Sequence, residues 1–442
     1  MKKLFAGVKR YDMTPPKGVR LAGYPHFTRE NIGYHDRLYA TAVYLTDGET
    51  EFVFVTLDIL FFSKKYAAEV RQRVSAQCGI PERQILICCS HTHSGPWAAG
   101  NPELEATAGN SRDIDPDYLD SLIEGVTGAI VGASGDTFEA LIGFGSAHIG
   151  AESGIGGNRR DRNGICDPEL NVVAVKDMTG AVRGIIANYA LHPTFLHEDN
   201  LLVTADYPGY LRSYLEGVFP GAAVGFAQGT SGDQSSRYFR QGQSFEEAER
   251  VGVLMGRAAE KIIRGAEFFT PDVLRHAWAE LEIPIREYPP VRELKERVGI
   301  YTELYERLKA SDAPYLDVQN ANLKMLGAED MLGYAICISE GRRVDLRDDE
   351  NPAEISVFRI GGHIIVGYPG EVFVEYGLKV RNSGKAESIF VFELADGCLP
   401  GYCINDEAYA GDGYEAGNCM LAPGFGDTLA DTALELIDMV SG

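Results

Sequence analysis

Residues 84–97 read QILICCSHTHSGPW. The apolar run from Ile85 to Cys89 ends abruptly at Ser90 and two histidines, His91 and His93, one residue apart. A short run of this kind predicts a strand buried on both faces. The two histidines then stand where that strand ends, and on an extended segment they point to the same side. The pattern recurs in EFVFVTLDIL (51–60), GIIANYAL (184–191), AAVGFAQG (222–229), HIIVGYP (363–369) and SIFVFELAD (388–396). Helical stretches lie between these runs. Residues 63–79 close on a glycine suited to a C-cap, and 244–265 open with Ser244 followed three residues later by Glu247, the spacing of a capping box. The fold class expected is α/β, a buried β-sheet core flanked by helices. Residues 286–332 are charged and helix-favouring without a strand signal, and predict a helical excursion from the sheet.

Composition narrows the function classes. The 442 residues carry a net charge of -23, so the field of the whole molecule repels nucleic acid and anionic membrane surfaces. No stretch reaches the roughly 18–20 apolar residues needed to span a bilayer, so stable membrane insertion is not expected. The opening MKKLFAGVKRYDMTPP lacks the apolar core of a signal peptide, and the eight cysteines include an adjacent buried pair, Cys88 and Cys89, but no CxxC. A cytoplasmic chain with reduced thiols is expected. The oligomeric state is not legible.

In open α/β sheets ligands bind at the carboxyl ends of strands. The residues that follow the apolar runs here are Asp58, His91 and His93, His192, Asp233 and Ser235, and Glu371. One histidine after a strand is more often structural than functional. His, His and Glu together are the donor types of a catalytic zinc, with three protein ligands and one open position. The turn GTSGDQSSR (229–237) is either a nucleophile loop carrying Ser235 or an ordinary Gly/Ser/Asp turn.

The ordered set AGVKRYDMTPP, YHDRLYATAVYL, FVFVTLDIL, SHTHSGP, NRRDR, NYALHPT, GTSGDQSS, GYPGEVF and GYCINDEAYAGDGYE resembles the catalytic domain of the neutral/alkaline (non-lysosomal) ceramidases over nearly the whole chain. The resemblance implies a zinc amidase that cleaves the N-acyl bond of ceramide. It implies His91, His192, Glu371 and Tyr402 as zinc ligands, Ser235 as the catalytic serine, and His93, Arg159 and Tyr414 as further active-site groups. Asp58 or Asp206 would orient the ligand imidazoles from behind. His35 lies in a matched segment without an assigned role, whereas His26, His148, His197, His276 and His363 read as surface or structural residues.

Two departures bear on the substrate. The resemblance covers a single catalytic domain over 1–442, with 286–332 as a helical insertion and no C-terminal β-sandwich domain. The serine turn reads GDQSS where the family usually places valine and proline around the serine. Three readings follow. The first is a zinc hydrolase of a linear N-acyl amide, from ceramide or another small-molecule or lipid compound. The second is a metal-dependent hydrolase or lyase acting on a small polar or carbohydrate-like substrate, and the third is a zinc-binding homologue without catalysis.

Overall fold

The computed structural model describes residues 2–99, 114–342 and 349–442. The apolar runs form two stacked sheets. The larger contains β1 (Leu4–Asp12), β3 (Tyr39–Thr46), β4 (Glu51–Leu57), β5 (Ile85–Cys89), β6 (Thr137–His148), β8 (Glu169–Asp177), β9 (Val182–Tyr189) and β11 (Ala223–Gln228), in the order β11-β9-β8-β6-β1-β3-β4-β5, with β13 (Phe268–Phe269) on β6. The smaller runs β14 (Leu274–Leu281), β15 (Ala353–Ile360), β16 (His363–Gly367) and β17 (Ser388–Phe392). Two-residue pairs add β2 (Gly33–Tyr34) with β10 (Leu202–Val203), and β7 (Gly157–Asn158) with β12 (Gln234–Ser235).

Helices cover the outer faces. Val53, Val55, Ile85 and Ile87 pack against α1 (Lys64–Cys78) and α2 (Pro116–Gly135). Ile185, Ala187, Val224 and Phe226 pack against α3 (Tyr207–Val218) and α4 (Phe245–Gly265). The opposite face, with Phe52, Phe54, Leu86 and Ile186, meets Phe358, Ile365, Phe390 and Phe392 of the smaller sheet. That sheet is closed from outside by α7 (Val374–Arg381) and α10 (Phe425–Ser441). Alternate residues of one strand thus face a helix layer and a second sheet, and both faces must be apolar. The expected α/β class holds. Its continuous runs come from a four-layer α/β/β/α stack of mostly antiparallel strands; within the two stacked sheets β4–β5, β9–β11 and β16–β17 are parallel, as is the short β2–β10 pair.

The expected excursion is a helical hairpin, α5 (Val291–Lys309) and α6 (Tyr315–Ser339). It runs past residue 332 because Tyr334, Ala335 and Cys337 find buried partners on the helix face. The hairpin lies on two short helices' worth of chain, α8 (Asp406–Tyr409) and α9 (Tyr414–Gly417), where Tyr301 and Lys324 bond Asp412 at 2.6 and 3.1 Å. Contact with α9 is backbone to backbone: a Cβ on Gly417 would sit 2.0 Å from the Gly327 carbonyl oxygen.

The strand ends are tied together. Asn188 on β9 donates to the carbonyl oxygens of Ala227 on β11 and Val391 on β17, at 3.1 and 3.0 Å. Beyond β17, the Asp396 carboxylate accepts the Ile87 N–H of β5 at 2.8 Å. Loops leaving β5, β9, β11 and β16 therefore converge on one place.

Candidate metal centre

Three of these loops bring together three buried lone pairs. His91, two residues past β5, donates its backbone N–H to Ile59 and pairs Nδ1 with the Leu60 carbonyl at 3.1 Å. Its φ of 67° is left-handed, an uncommon conformation that fixes where the ring points. His192, three residues past β9, pairs Nδ1 with the Gln234 carbonyl at 3.0 Å. Glu371, four residues past β16, accepts the Cys403 N–H through its backbone oxygen at 2.8 Å. The side chains meet in a triangle: His91 Nε2 to His192 Nε2 is 3.2 Å, and Glu371 Oε2 lies 3.1 Å from His192 Nε2 and 3.3 Å from His91 Nε2.

A carbonyl oxygen can only accept, so each imidazole carries its proton on Nδ1 and turns a bare Nε2 inward. Two imidazole lone pairs and a carboxylate oxygen repel one another at these separations unless a cation lies between them. Four ligands placed tetrahedrally at zinc–nitrogen distances of about 2.0–2.1 Å would stand roughly 3.3 Å apart. The triangle has the edges of such a tetrahedron, so the donor set fits a metal ion. His93 adds a second possible trio, since ring nitrogens of His91, His93 and His192 lie within 4.8 Å of one another.

Protonation agrees with this. Burial first, then Arg159, pushes the His192 imidazole down to about 4, so the ring is neutral. Burial alone would raise the Glu371 carboxyl, but positive charge where it meets His91 and His192, whether a proton or a bound cation, lowers it well below its ordinary range. Metal ligands need these states at neutral pH.

Arg159 enters from the segment after β7. Nε donates to Glu415 at 2.7 Å and Nη2 to the Gly232 carbonyl at 2.8 Å, while Nη1 stands 3.3 Å from His192 Nε2. The sequence reading does not single out Glu415, although it is the last residue of the quoted GYCINDEAYAGDGYE. Its only local signal is a carboxylate placed beside a phenol of interest. A second unanticipated carboxyl, Glu393, is fully buried and accepts Ser231 Oγ at 2.6 Å and the Val372 N–H at 2.9 Å, bracing the chain next to Glu371.

The remaining expected residues divide. Tyr402 is buried with its ring centroid 5.1 Å from the Arg159 guanidinium carbon; burial, then Glu371, raises its phenol, and Arg159 opposes them. Tyr414 begins α9, its ring 6.0 Å from that of Tyr402, and its hydroxyl accepts from Asn418 at 3.3 Å. His93 packs edge-on to His91 with centroids 4.9 Å apart, and among the described residues neither of its buried ring nitrogens has a hydrogen-bond partner. Gly23, at φ +100°, makes room for it: a Cβ there would lie 2.6 Å from His93 Cα. Ser235 is buried on β12, directly after the Gln234 that anchors His192; its hydroxyl accepts the Arg237 N–H at 3.3 Å. Among the described residues no imidazole or carboxylate bonds that hydroxyl.

The proposed imidazole-orienting carboxylates are corrected. Asp58 instead pairs with Arg212 and accepts the Tyr39 N–H. Asp206 caps α3 through Tyr207 N and accepts Phe195 N at 3.0 Å. Backbone carbonyls of Leu60 and Gln234 do the orienting. His35 lies elsewhere, bonded to the Tyr210 hydroxyl at 2.8 Å and stacked on Phe245.

The family model for neutral/alkaline non-lysosomal ceramidase, N-terminal, matches residues 5–240. The chain belongs to this family. Among its curated members, the neutral ceramidase of Pseudomonas aeruginosa is 22% identical over 484 residues, spanning 94% of this chain and 69% of that protein. The neutral ceramidase of Mycobacterium tuberculosis is 22% identical over 478 residues, spanning 95% and 74%. The crystal structure of the Pseudomonas aeruginosa neutral ceramidase superposes with a TM-score of 0.76 at 19% identity, covering 100% of this chain and 75% of that one. The fold is therefore that of the ceramidase family. No helix among the described residues is long and apolar enough to cross a membrane.

Proposed function

We propose that this ceramidase-family chain is a zinc-dependent amidohydrolase that cleaves the linear amide bond of an N-acyl compound, ceramide being one example. The observation that carries the reading is the triangle of bare lone pairs from His91, His192 and Glu371. Its relatives named neutral ceramidases support a lipid amide as substrate.

His91, His192 and Glu371 would hold the zinc, with the Tyr402 phenol as a fourth donor. Bound zinc would supply a Lewis acid for the acyl oxygen and lower the pKa of water to about 7. Arg159, locked by Glu415 and the Gly232 carbonyl, aims guanidinium N–H groups where oxyanion charge develops, at no cost in reorganisation. His93, whose two ring nitrogens have no partner among the described residues, accepts or delivers a proton at the departing amine. With no base on its hydroxyl among the described residues, Ser235 serves as a hydrogen-bonding contact for substrate and not as an activated nucleophile. Tyr414 offers a second hydroxyl. All eight cysteines are free thiols, which suits a reducing compartment, and we place the chain in the cytoplasm.

Metal analysis of the purified protein, coupled to an amidase assay, tests this. About one zinc per chain is expected, and His91→Ala should lose both the metal and at least about 1000-fold in kcat/KM, the several kcal/mol that a Lewis acid contributes. Full activity in metal-free wild-type protein would overturn the reading.

A further inference from the structure

The chain carries 64 acidic and 41 basic residues, yet the wall beside the centre is lined by arginines. Arg159, Arg160, Arg237 and Arg240 lie on the segments after β7 and β12. Arg159 and Arg160 share one carboxylate, Glu415, at 2.7 and 3.9 Å. Arg240 donates to the Thr194 carbonyl at 3.4 Å and lies within reach of the Gln243 amide.

Arg237 is different. It is two residues past Ser235, whose hydroxyl its backbone N–H reaches at 3.3 Å. Its side chain makes one hydrogen bond, Nη1 to the Arg159 carbonyl oxygen at 3.2 Å. Among the described residues it has no carboxylate partner. A guanidinium has five N–H donors, so most of this fork is unused. The group is half-buried, and burial together with Arg159 and Arg240 makes its charge more costly to hold than that of a free arginine, while the Glu415 carboxylate partly offsets them. That carboxylate already pairs with Arg159 and Arg160, so three guanidinium groups share one opposing charge, and an anion bound beside Ser235 and Arg159 would balance the excess.

We propose that Arg237 is a substrate-binding residue that selects N-acyl compounds bearing an oxyanion, a carboxylate or a phosphate, close to the scissile amide. This rests on the amidohydrolase reading of the same site. Arginine suits the role because its planar fork meets either oxyanion in a bidentate pair. A mere brace for the Arg159 carbonyl would need neither the charge nor the unused donors.

The test uses zinc-loaded full-length protein and four amides: N-hexanoyl glycine, N-hexanoyl phosphoethanolamine, neutral N-hexanoyl ethanolamine and a long-chain ceramide. Wild type should favour one of the two anionic amides over the neutral short amide by about 10–100-fold in kcat/KM, the worth of one charge-assisted pair. Whether glycine or phosphoethanolamine wins identifies the oxyanion. Arg237→Gln should erase that ratio and Arg237→Lys restore part of it. Equal rates on anionic and neutral short amides overturn the assignment and leave the amidohydrolase standing, as does turnover of ceramide alone. A loss by Arg237→Gln that is uniform across substrates and accompanied by a lower Tm makes it a brace and likewise overturns it. No turnover of any of the four overturns the amidohydrolase reading and this assignment together.

Discussion

The centre is assembled from two regions built on different principles. His91, His192 and Glu371 hang a few residues beyond strands of two stacked sheets, and each is fixed through its own backbone or ring to neighbouring main chain. Tyr402, Tyr414 and Glu415 hang from residues 397–421, a loop with two four-residue helices pressed against the α5–α6 hairpin. The first region presents three lone pairs whose separations differ by 0.2 Å at most, from 3.1 to 3.3 Å. The second supplies a phenol, a second phenol and the carboxylate that aims Arg159. On the proposed reading metal binding falls to the strand-end half, and orientation of charge to the half packed against the hairpin.

The division breaks most visibly at Glu415. Glu415→Gln should reduce kcat by about 100–1000-fold, the cost of misdirecting one transition-state donor, while zinc content measured by emission spectroscopy stays at the wild-type level. Loss of zinc in this variant would show that the two halves are not separable.

Glu350 spans them: its carboxyl accepts the N–H of Lys64, at the start of α1, and that of Cys398 in the loop half at 2.9 Å. Burial raises it to about 7 from an ordinary 4.5. Between those values the native chain keeps a proton that the unfolded chain has lost, so this group's contribution to stability is present at low pH and falls as pH rises. Glu350→Gln cannot ionise, and by chemical denaturation it should gain on wild type by up to about 3 kcal/mol between pH 5 and pH 8. A difference that does not change with pH would mean that Glu350 is already ionised at pH 5.

The smallest effect is expected at the hairpin contact. Gly417→Ala pushes a methyl into the Gly327 carbonyl and should cost about 1–2 kcal/mol, with KM rising and zinc content unchanged. An unchanged KM would detach the hairpin from the site.

The same division governs what the sequence makes legible. Strand ends announce themselves because burial on two faces writes an uninterrupted apolar run, and the residue after the run is where a ligand can stand. His91, His192 and Glu371 are readable on that basis. Arg159, Tyr402 and Tyr414 come only with the family resemblance, and Glu415 and Arg237 not at all, since loop packing against a distant hairpin leaves no local period. Asp58 and Asp206 mislead for a related reason: carboxylates near a strand end are visible, but the carbonyl oxygens that do orient the imidazoles belong to every sequence alike. Ser244 caps α4 as its spacing predicts, whereas Glu247 turns to Gln241 N and Arg250 in place of completing the box.

His91 occupies a backbone conformation that an L-residue adopts at a cost of about 1–2 kcal/mol. Glycine would sit there without strain, yet glycine could bind nothing. Thermal robustness alone would therefore favour glycine, so a histidine here is a cost in stability that only chemistry at this position offsets.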